Sequence, residues 1–177
     1  MGALFLDRDG VVNIKLDDDY VKQWSEFVFK PGFLKYISLL NHLFSPIVIV
    51  TNQRGIGRGL MTDTQLSTIH QLMLAAIQRH SGHIDHIYYC SANDNDHPCR
   101  KPNIGMGLMA KYDWPDVQFR DSLLIGDSLS DIQFASQLGM PSIYLNETPR
   151  HLSSFENVYY ASDWDACYTY IHTTLKI

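Results

Sequence analysis

Reactive side chains stand directly after, or shortly after, four short apolar runs of this chain. In chain order they are Asp7 and Asp9, Thr51, Lys101, and Asp127. Paired carboxylates such as Asp7 and Asp127 suit Mg²⁺, a small cation that prefers oxygen ligands. A hydroxyl and an ammonium group suit the oxygens of a phosphoryl group, and an aspartate can attack phosphorus as a nucleophile. The residue types therefore favour metal-assisted phosphoryl chemistry.

The elements that must position these residues alternate between strands and helices. Apolar runs predict strands at 3–6, 47–50, 84–89, 122–125, 142–145 and 158–160. Helical periodicity predicts helices at 32–44, 105–112, 129–138 and 163–175. A further helix is predicted to begin at a capping box, residues 62–65, and to end at Gly82, and residues 52–61 are predicted to form a loop. This order predicts an α/β fold, a three-layer doubly wound parallel sheet. Ligands bind at the carboxyl ends of such strands, so we expect the reactive side chains to meet there.

Length and charge limit the classes of protein that fit. With 177 residues, the chain is predicted to form a single domain over 1–177. A net charge of −5 argues against a nucleic-acid partner. There is no apolar stretch of about 20 residues, so no membrane association is expected. The N-terminus lacks a secretory pattern and the cysteine count is three, which predicts thiols or metal ligands and a cytoplasmic location. We also expect a monomer.

Four segments resemble, in order and spacing, the motifs of the haloacid dehalogenase superfamily of phosphohydrolases. They are residues 5–13, 51–59, 100–102 and 126–131, and the resemblance covers the chain from 4 to about 145. The extended first and second motifs look like the branch that contains heptose bisphosphate phosphatases and histidinol-phosphate phosphatases. This resemblance implies a minimal cap, Mg²⁺ as cofactor and a small phosphorylated substrate.

The resemblance also implies a role for each reactive residue. Asp7 would be the nucleophile and a Mg²⁺ ligand, and Asp127 would complete the metal site. Asp9 would protonate the leaving oxygen and then activate water, with its carbonyl on Mg²⁺. Thr51 would hold the transferred phosphoryl group, and Lys101 would neutralise charge that develops on its oxygens.

Substrate contacts are expected from polar residues that flank these positions. The resemblance implies Arg8, Asn52, Gln53, Arg54, Arg100 and Ser128. Arg100 would bind a second phosphate or a ring hydroxyl of the substrate. Arg58 and Tyr20 would line the shallow cap. Asp131 is left open between a site residue and a helix cap, since residues 128–131 also fit a capping box.

The short loop at 90–102 is similar to a structural zinc loop found in relatives, but it is altered. Relatives have a histidine where this chain has Ala92, and a cysteine where it has His97. Cys90, His97 and Cys99 remain as candidate Zn²⁺ ligands, whereas a closed structural zinc site needs four. The fourth would be Asp94, Asp96, His83 or His86. The alternative is a loop without metal, fixed by turns.

The favoured hypothesis is a Mg²⁺-dependent phosphomonoester hydrolase that acts on a small sugar phosphate through an aspartyl-phosphate. The resemblance favours a heptose bisphosphate as substrate. Three alternatives stay open: a histidinol-phosphate phosphatase, a catalytically silent phosphosugar-binding module, and a nucleic-acid end phosphatase. The Asp7 and Asp9 pair argues against the silent module, because binding alone does not need the second carboxylate. The acidic net charge argues against the nucleic-acid enzyme.

Overall fold

Six parallel strands build the central sheet. They are β1 (Leu4–Leu6), β2 (Ile47–Asn52), β3 (His86–Cys90), β4 (Leu123–Gly126), β5 (Ser142–Leu145) and β6 (Val158–Ala161). Their spatial order is β3-β2-β1-β4-β5-β6. The computed structural model describes residues 2–148, 152 and 154–174. The predicted doubly wound parallel sheet is confirmed.

Helices cover both faces of the sheet. They are α1 (Phe33–Leu40), α2 (Arg54–Gly57), α3 (Asp63–Arg79), α4 (Gly105–Asp113), α5 (Leu129–Gln137) and α6 (Trp164–Thr174). Side chains of α1, α3 and α6 form one apolar cluster with Leu4 and Leu6, whereas α4 and α5 form a second with Phe5. Successive strand residues point to opposite faces, so the apolar strands fill both cores.

Most element boundaries fall close to the predicted ones, with a few differences. The first predicted helix, 32–44, ends at Leu40, because residues 41–44 continue as turns that bury Phe44. The predicted loop 52–61 contains the short helix α2. The third strand begins at 86 rather than 84. The predicted end of the last helix, residue 175, lies outside the described residues. Within the described ranges, no helix has both the length and the apolar composition needed to cross a bilayer.

Strand register brings three of the four motif segments, 5–13, 51–59 and 126–131, to one edge. Leu6 pairs with Ile49 on one side and with Ile125 on the other. The amide of Asp7 donates to the carbonyl oxygen of Ile125 at 3.0 Å. The chain changes direction across the sheet between β1 and β4, which is where ligands bind in open α/β sheets. The register therefore places the ends of β1, β2 and β4 side by side.

Helix α3 contributes a buried polar side chain to this edge. His70 is 8% exposed, and its Nε2 lies 3.3 Å from a guanidinium nitrogen of Arg8, which is fully buried. Arginine only donates hydrogen bonds, so the imidazole accepts and is neutral. Burial lowers the pKa of His70 to about 3, and the charge of Arg8 acts in the same direction, while Asp9 opposes it.

We predict that His70 makes the free energy of unfolding fall in mild acid. Between pH 6.5 and about 3, the unfolded chain binds a proton at this position that the folded chain does not. Stability is therefore lost as the pH falls through this window, by up to about 1.4 kcal/mol per pH unit from this group. His70→Gln, which keeps an acceptor for Arg8, should show a shallower slope in urea unfolding between pH 4.5 and 7.

The matched control is His80→Gln, which removes an exposed imidazole at the end of the same helix. Equal slopes for the wild type and His70→Gln would show that His70 is not held neutral by the fold.

Candidate active site

A pocket opens at the carboxyl edge of the sheet. It is lined by residues that follow β1 and β4, by the last two residues of β2, by Lys101, and by residues of the segment 15–20. Asp7, Asp9, Thr51 and Lys101, predicted as catalytic, all lie on its wall. The fold thus brings the predicted catalytic set together, although their individual roles stay predictions.

The ammonium of Lys101 is the centre of the site. It donates to Asp7 Oδ1 at 2.8 Å, to the Val50 carbonyl oxygen at 2.7 Å, and to Asp131 Oδ1. Burial alone would lower the pKa of Lys101, but the carboxylates of Asp131 and Asp7 outweigh burial and raise it. Lys101 therefore stays charged although it is buried.

Asp7 lies in a mixed electrostatic environment. Burial raises the pKa of Asp7 to about 7; Lys101 opposes this shift, while the charges of Asp131 and Asp127 add to it. Burial penalises the charged form, so a further cation beside Asp7 would favour its ionised state. The site is therefore suited to binding a cation at this carboxylate.

Asp9 is held as a carboxylate by three side chains. Arg8 donates to both of its oxygens, at 2.9 and 2.8 Å, Asn13 donates at 3.0 Å and Gln53 at 2.9 Å. Burial would raise the pKa of Asp9, but Arg8 and these hydrogen bonds lower it. Asp7 and Asp9, two residues apart, thus have pKa values shifted in opposite directions, because their surroundings differ.

Two predicted substrate contacts have a different place in the structure. Arg8 is fully buried between Asp9 and His70, and Gln53 is fully buried between Asp9 and Thr51. Neither side chain presents surface to a substrate in this arrangement, so a substrate contact by these two residues stays a prediction that their burial does not support. The physical reason is that a buried guanidinium needs a partner, which the neighbouring carboxylate supplies. Both residues position Asp9 instead.

The remaining predicted contacts at the end of β2 and the start of α5 lie in the pocket. Asn52 holds the main chain of Lys101 by two hydrogen bonds of 3.0 Å, one to its oxygen and one from its amide. Ser128 caps α5 in a capping box with Asp131. Asp131 also accepts from Lys101, so it has both of the roles left open by the sequence.

The carboxylates fit a small divalent cation. Oxygens of Asp7, Asp127 and Asp131 all lie within 4.8 Å of one another. Asp127 Oδ1 is buried and has no hydrogen-bond partner among the described residues. A buried, unpartnered carboxylate oxygen needs a ligand such as a cation or water, and an all-oxygen set suits Mg²⁺. The predicted ligation by Asp9 through its carbonyl stays a prediction.

Three arginines form a cationic rim beside the pocket, made of Arg54, Arg58 and Arg100. Arg54 donates to the Asn93 carbonyl oxygen and, at 2.7 Å, to Asn95 Oδ1. Burial lowers the pKa of Arg100, and the charges of Arg54 and Arg58 lower it further. Arg54 and Arg100 both donate to Asn95 Oδ1, Arg100 at 3.3 Å, so these two guanidinium groups lie close together and the rim is suited to an anion.

The three predicted zinc ligands of the loop 90–102 lie close together, but two of them are joined in a disulfide. Cys90 and Cys99 form a disulfide, with their Cα atoms 5.6 Å apart, and His97 Nδ1 lies 3.0 Å from Cys99 Sγ. The expectation that these cysteines are thiols or zinc ligands is therefore wrong for this structure. Two cysteines within disulfide reach can pair instead of binding metal as thiolates.

Sequence reasoning missed three contributors to the site. Asn13 and His70 support Asp9 and Arg8, and Lys15 donates to Asp127 Oδ2 at 2.9 Å. Asn13 lies within the first motif, which was a usable signal. His70 and Lys15 meet their partners only through the fold, 62 and 112 residues away along the chain.

Comparisons with known proteins show which family the chain resembles. The family model described as polynucleotide kinase 3 phosphatase matches residues 5–163. A D-glycero-alpha-D-manno-heptose-1,7-bisphosphate 7-phosphatase from Mycobacterium tuberculosis is 37% identical over 138 residues, 75% of this chain and 70% of that protein. A D-glycero-beta-D-manno-heptose-1,7-bisphosphate 7-phosphatase from Escherichia coli is 33% identical over 175 residues, 92% of this chain and 87% of that protein.

A solved structure is also similar over its whole length. The crystal structure of D,D-heptose 1,7-bisphosphate phosphatase from Bordetella bronchiseptica, complexed with magnesium and phosphate, has a TM-score of 0.85 and 31% identity. The alignment covers 98% of this chain and 99% of the Bordetella bronchiseptica chain. Since the family match spans most of the sequence and the fold follows a solved phosphatase, this chain belongs to the polynucleotide kinase 3 phosphatase family of haloacid dehalogenase-like phosphatases.

Proposed function

We propose that the chain acts as one Mg²⁺-dependent phosphomonoester hydrolase domain, with the segment 15–30 as a minimal cap. The proposed substrate is a heptose 1,7-bisphosphate, cleaved at position 7. The observation that carries the proposal is the cluster of Asp7, Lys101 and Asp127 beside a separately held Asp9. Similarity to heptose bisphosphate phosphatases over most of the chain supports the choice of substrate.

In the first step, a carboxylate oxygen of Asp7 attacks phosphorus and forms the aspartyl-phosphate. The bond between phosphorus and the sugar oxygen breaks, and Asp9 gives its proton to that oxygen. A phosphate dianion next to Asp9 favours the protonated form of Asp9, because like charges disfavour ionisation. Lys101 and the hydroxyl of Thr51 stabilise the charge on the phosphoryl oxygens.

In the second step, Asp9 takes a proton from water, and the water oxygen attacks phosphorus. The bond to Asp7 breaks, which releases inorganic phosphate and restores the carboxylate. The hydrogen bonds from Arg8, Asn13 and Gln53 to Asp9 favour its ionised form, as this step requires. Asp9 thus alternates between acid and base.

Mg²⁺ held by Asp7 and Asp127 would neutralise charge on the phosphate oxygens and act as a Lewis acid. No zinc is proposed, because the disulfide takes up Cys90 and Cys99 and only His97 remains of the three predicted zinc ligands.

The cationic rim supports a substrate with a second phosphate. Guanidinium groups bind phosphate with strong, directional hydrogen bonds. The name of the matching family model favours a second candidate, the removal of a phosphate from the 3′ end of a nucleic acid. The net charge of −5 supports the small substrate over a long polyanion.

Asp7→Asn tests the nucleophile. The amide cannot attack phosphorus, so phosphate release should fall by more than about a thousandfold. The amide is close in size and shape to the carboxylate, so we expect the melting temperature to stay within a few degrees of the wild type. Phosphate release with Mg²⁺ on the bisphosphate measures the first effect, and thermal unfolding measures the second. Turnover close to wild type in a folded Asp7→Asn would rule out this mechanism.

A substrate panel tests the substrate class. We predict the highest kcat/KM for the heptose 1,7-bisphosphate, ahead of histidinol phosphate and of an oligonucleotide with a 3′ phosphate. Arg100→Met should raise KM for the bisphosphate by about tenfold or more, and change KM for the matching 7-monophosphate much less. Arg120→Met, which removes an exposed arginine outside the pocket, is the charge-matched control. A preference for the oligonucleotide would support the second candidate instead.

A further inference from the structure

Lys15 lies in the cap segment and reaches into the metal site. Its ammonium donates to Asp127 Oδ2 at 2.9 Å, while its side chain is 50% exposed and that of Asp127 is 10% exposed. Lys15 also lines the pocket, together with Thr51 and Lys101. None of the hydrolysis steps proposed above uses it.

Lys15 is the counter-charge of Asp127, as Lys101 is of Asp7 and Asp131. With all three carboxylates ionised, as a bound cation favours, these two ammonium groups leave the three carboxylates one uncompensated negative charge. With a divalent cation added, the cluster carries one positive charge, and without Lys15 it is neutral. The charge of Lys15 is therefore needed only when no divalent cation is bound.

The geometry also lets Lys15 move. Lysine carries a compact charge on a flexible four-carbon stem, and here half of that side chain is exposed. Asp127 cannot move as easily, because it is largely buried. Lys101 differs from Lys15, since it is fully buried and donates to three oxygens. Of these two ammonium groups, Lys15 is the one that a cation can displace.

We propose that Lys15 is a displaceable counter-ion of the metal site, which pairs with Asp127 before the metal binds and is then released to an anionic group of the substrate. This inference rests on the proposed function. Lys15 would therefore couple Mg²⁺ binding to substrate binding, because the ammonium group that leaves Asp127 becomes available to pair with the substrate.

The test measures Mg²⁺ binding without substrate. Isothermal titration of EDTA-treated, dialysed protein compares the wild type with Lys15→Met, Lys15→Arg and Lys22→Met. Lys22 is the matched control, because it lies in the same segment but pairs with Asp19 rather than with the metal site. Lys15→Met should bind Mg²⁺ about threefold to fivefold more tightly, as expected from the loss of a partly exposed competing ion pair. Lys15→Arg and Lys22→Met should remain close to the wild type.

The second measurement is KM for the bisphosphate at saturating Mg²⁺. Lys15→Met should raise it by about tenfold, and Lys15→Arg should restore most of the loss. If Lys15 only holds the cap in place, Lys15→Met should have a lower melting temperature and should not bind Mg²⁺ more tightly.

Each outcome decides between these accounts. Equal or weaker Mg²⁺ binding by Lys15→Met, with normal binding by the wild type, overturns the role of Lys15 and leaves the proposed function standing. Tighter Mg²⁺ binding with unchanged KM overturns the release of Lys15 to the substrate. No Mg²⁺ binding by the wild type overturns both the proposed function and the role of Lys15.

Discussion

The buried ammonium of Lys101 is the interaction on which the rest of the site depends. A buried charge is stable only with close partners, and leaving it without any typically costs about 3–5 kcal/mol. Lys101 needs Asp7 from the end of β1 and Asp131 from the start of α5, together with the carbonyl oxygen of Val50. The same contacts that satisfy Lys101 therefore fix Asp7, the neighbouring strand β2 and the capping residue Asp131 relative to one another.

A second layer of polar groups gives Asp9 properties opposite to those of Asp7. Arg8, Asn13 and Gln53 all donate to Asp9, and His70 accepts from Arg8 on the side away from the pocket. Burial acts on both carboxylates, but only Asp9 has a guanidinium bound to both oxygens. Two aspartates that are nearly adjacent in sequence can thus serve as nucleophile and as acid–base group, because different elements surround them.

Local sequence was sufficient to predict the strands and the positions of the motif residues, but it could not predict the contacts between distant segments. Thr51 and Asp127 lie at the edge where their strand ends predicted them, since parallel register leaves little choice. The resemblance implied that Arg8 contacts the substrate; its burial could not be predicted locally, because its partner His70 lies 62 residues away on α3. The disulfide of Cys90 and Cys99 was missed because sequence spacing does not reveal whether thiols pair or bind metal.

The central claim is that Asp7 and Asp127 share one divalent ion while Asp7 accepts the phosphoryl group next to Lys101. A crystal structure of the protein with Mg²⁺ and beryllium trifluoride tests it most directly, because this anion mimics a phosphoryl group bound to aspartate. The account predicts beryllium bonded to an Asp7 oxygen, Lys101 and Thr51 within hydrogen-bond distance of its fluorides, and Mg²⁺ between a fluoride and Asp127. Beryllium trifluoride bound at another residue, or Mg²⁺ bound away from Asp127, would contradict it.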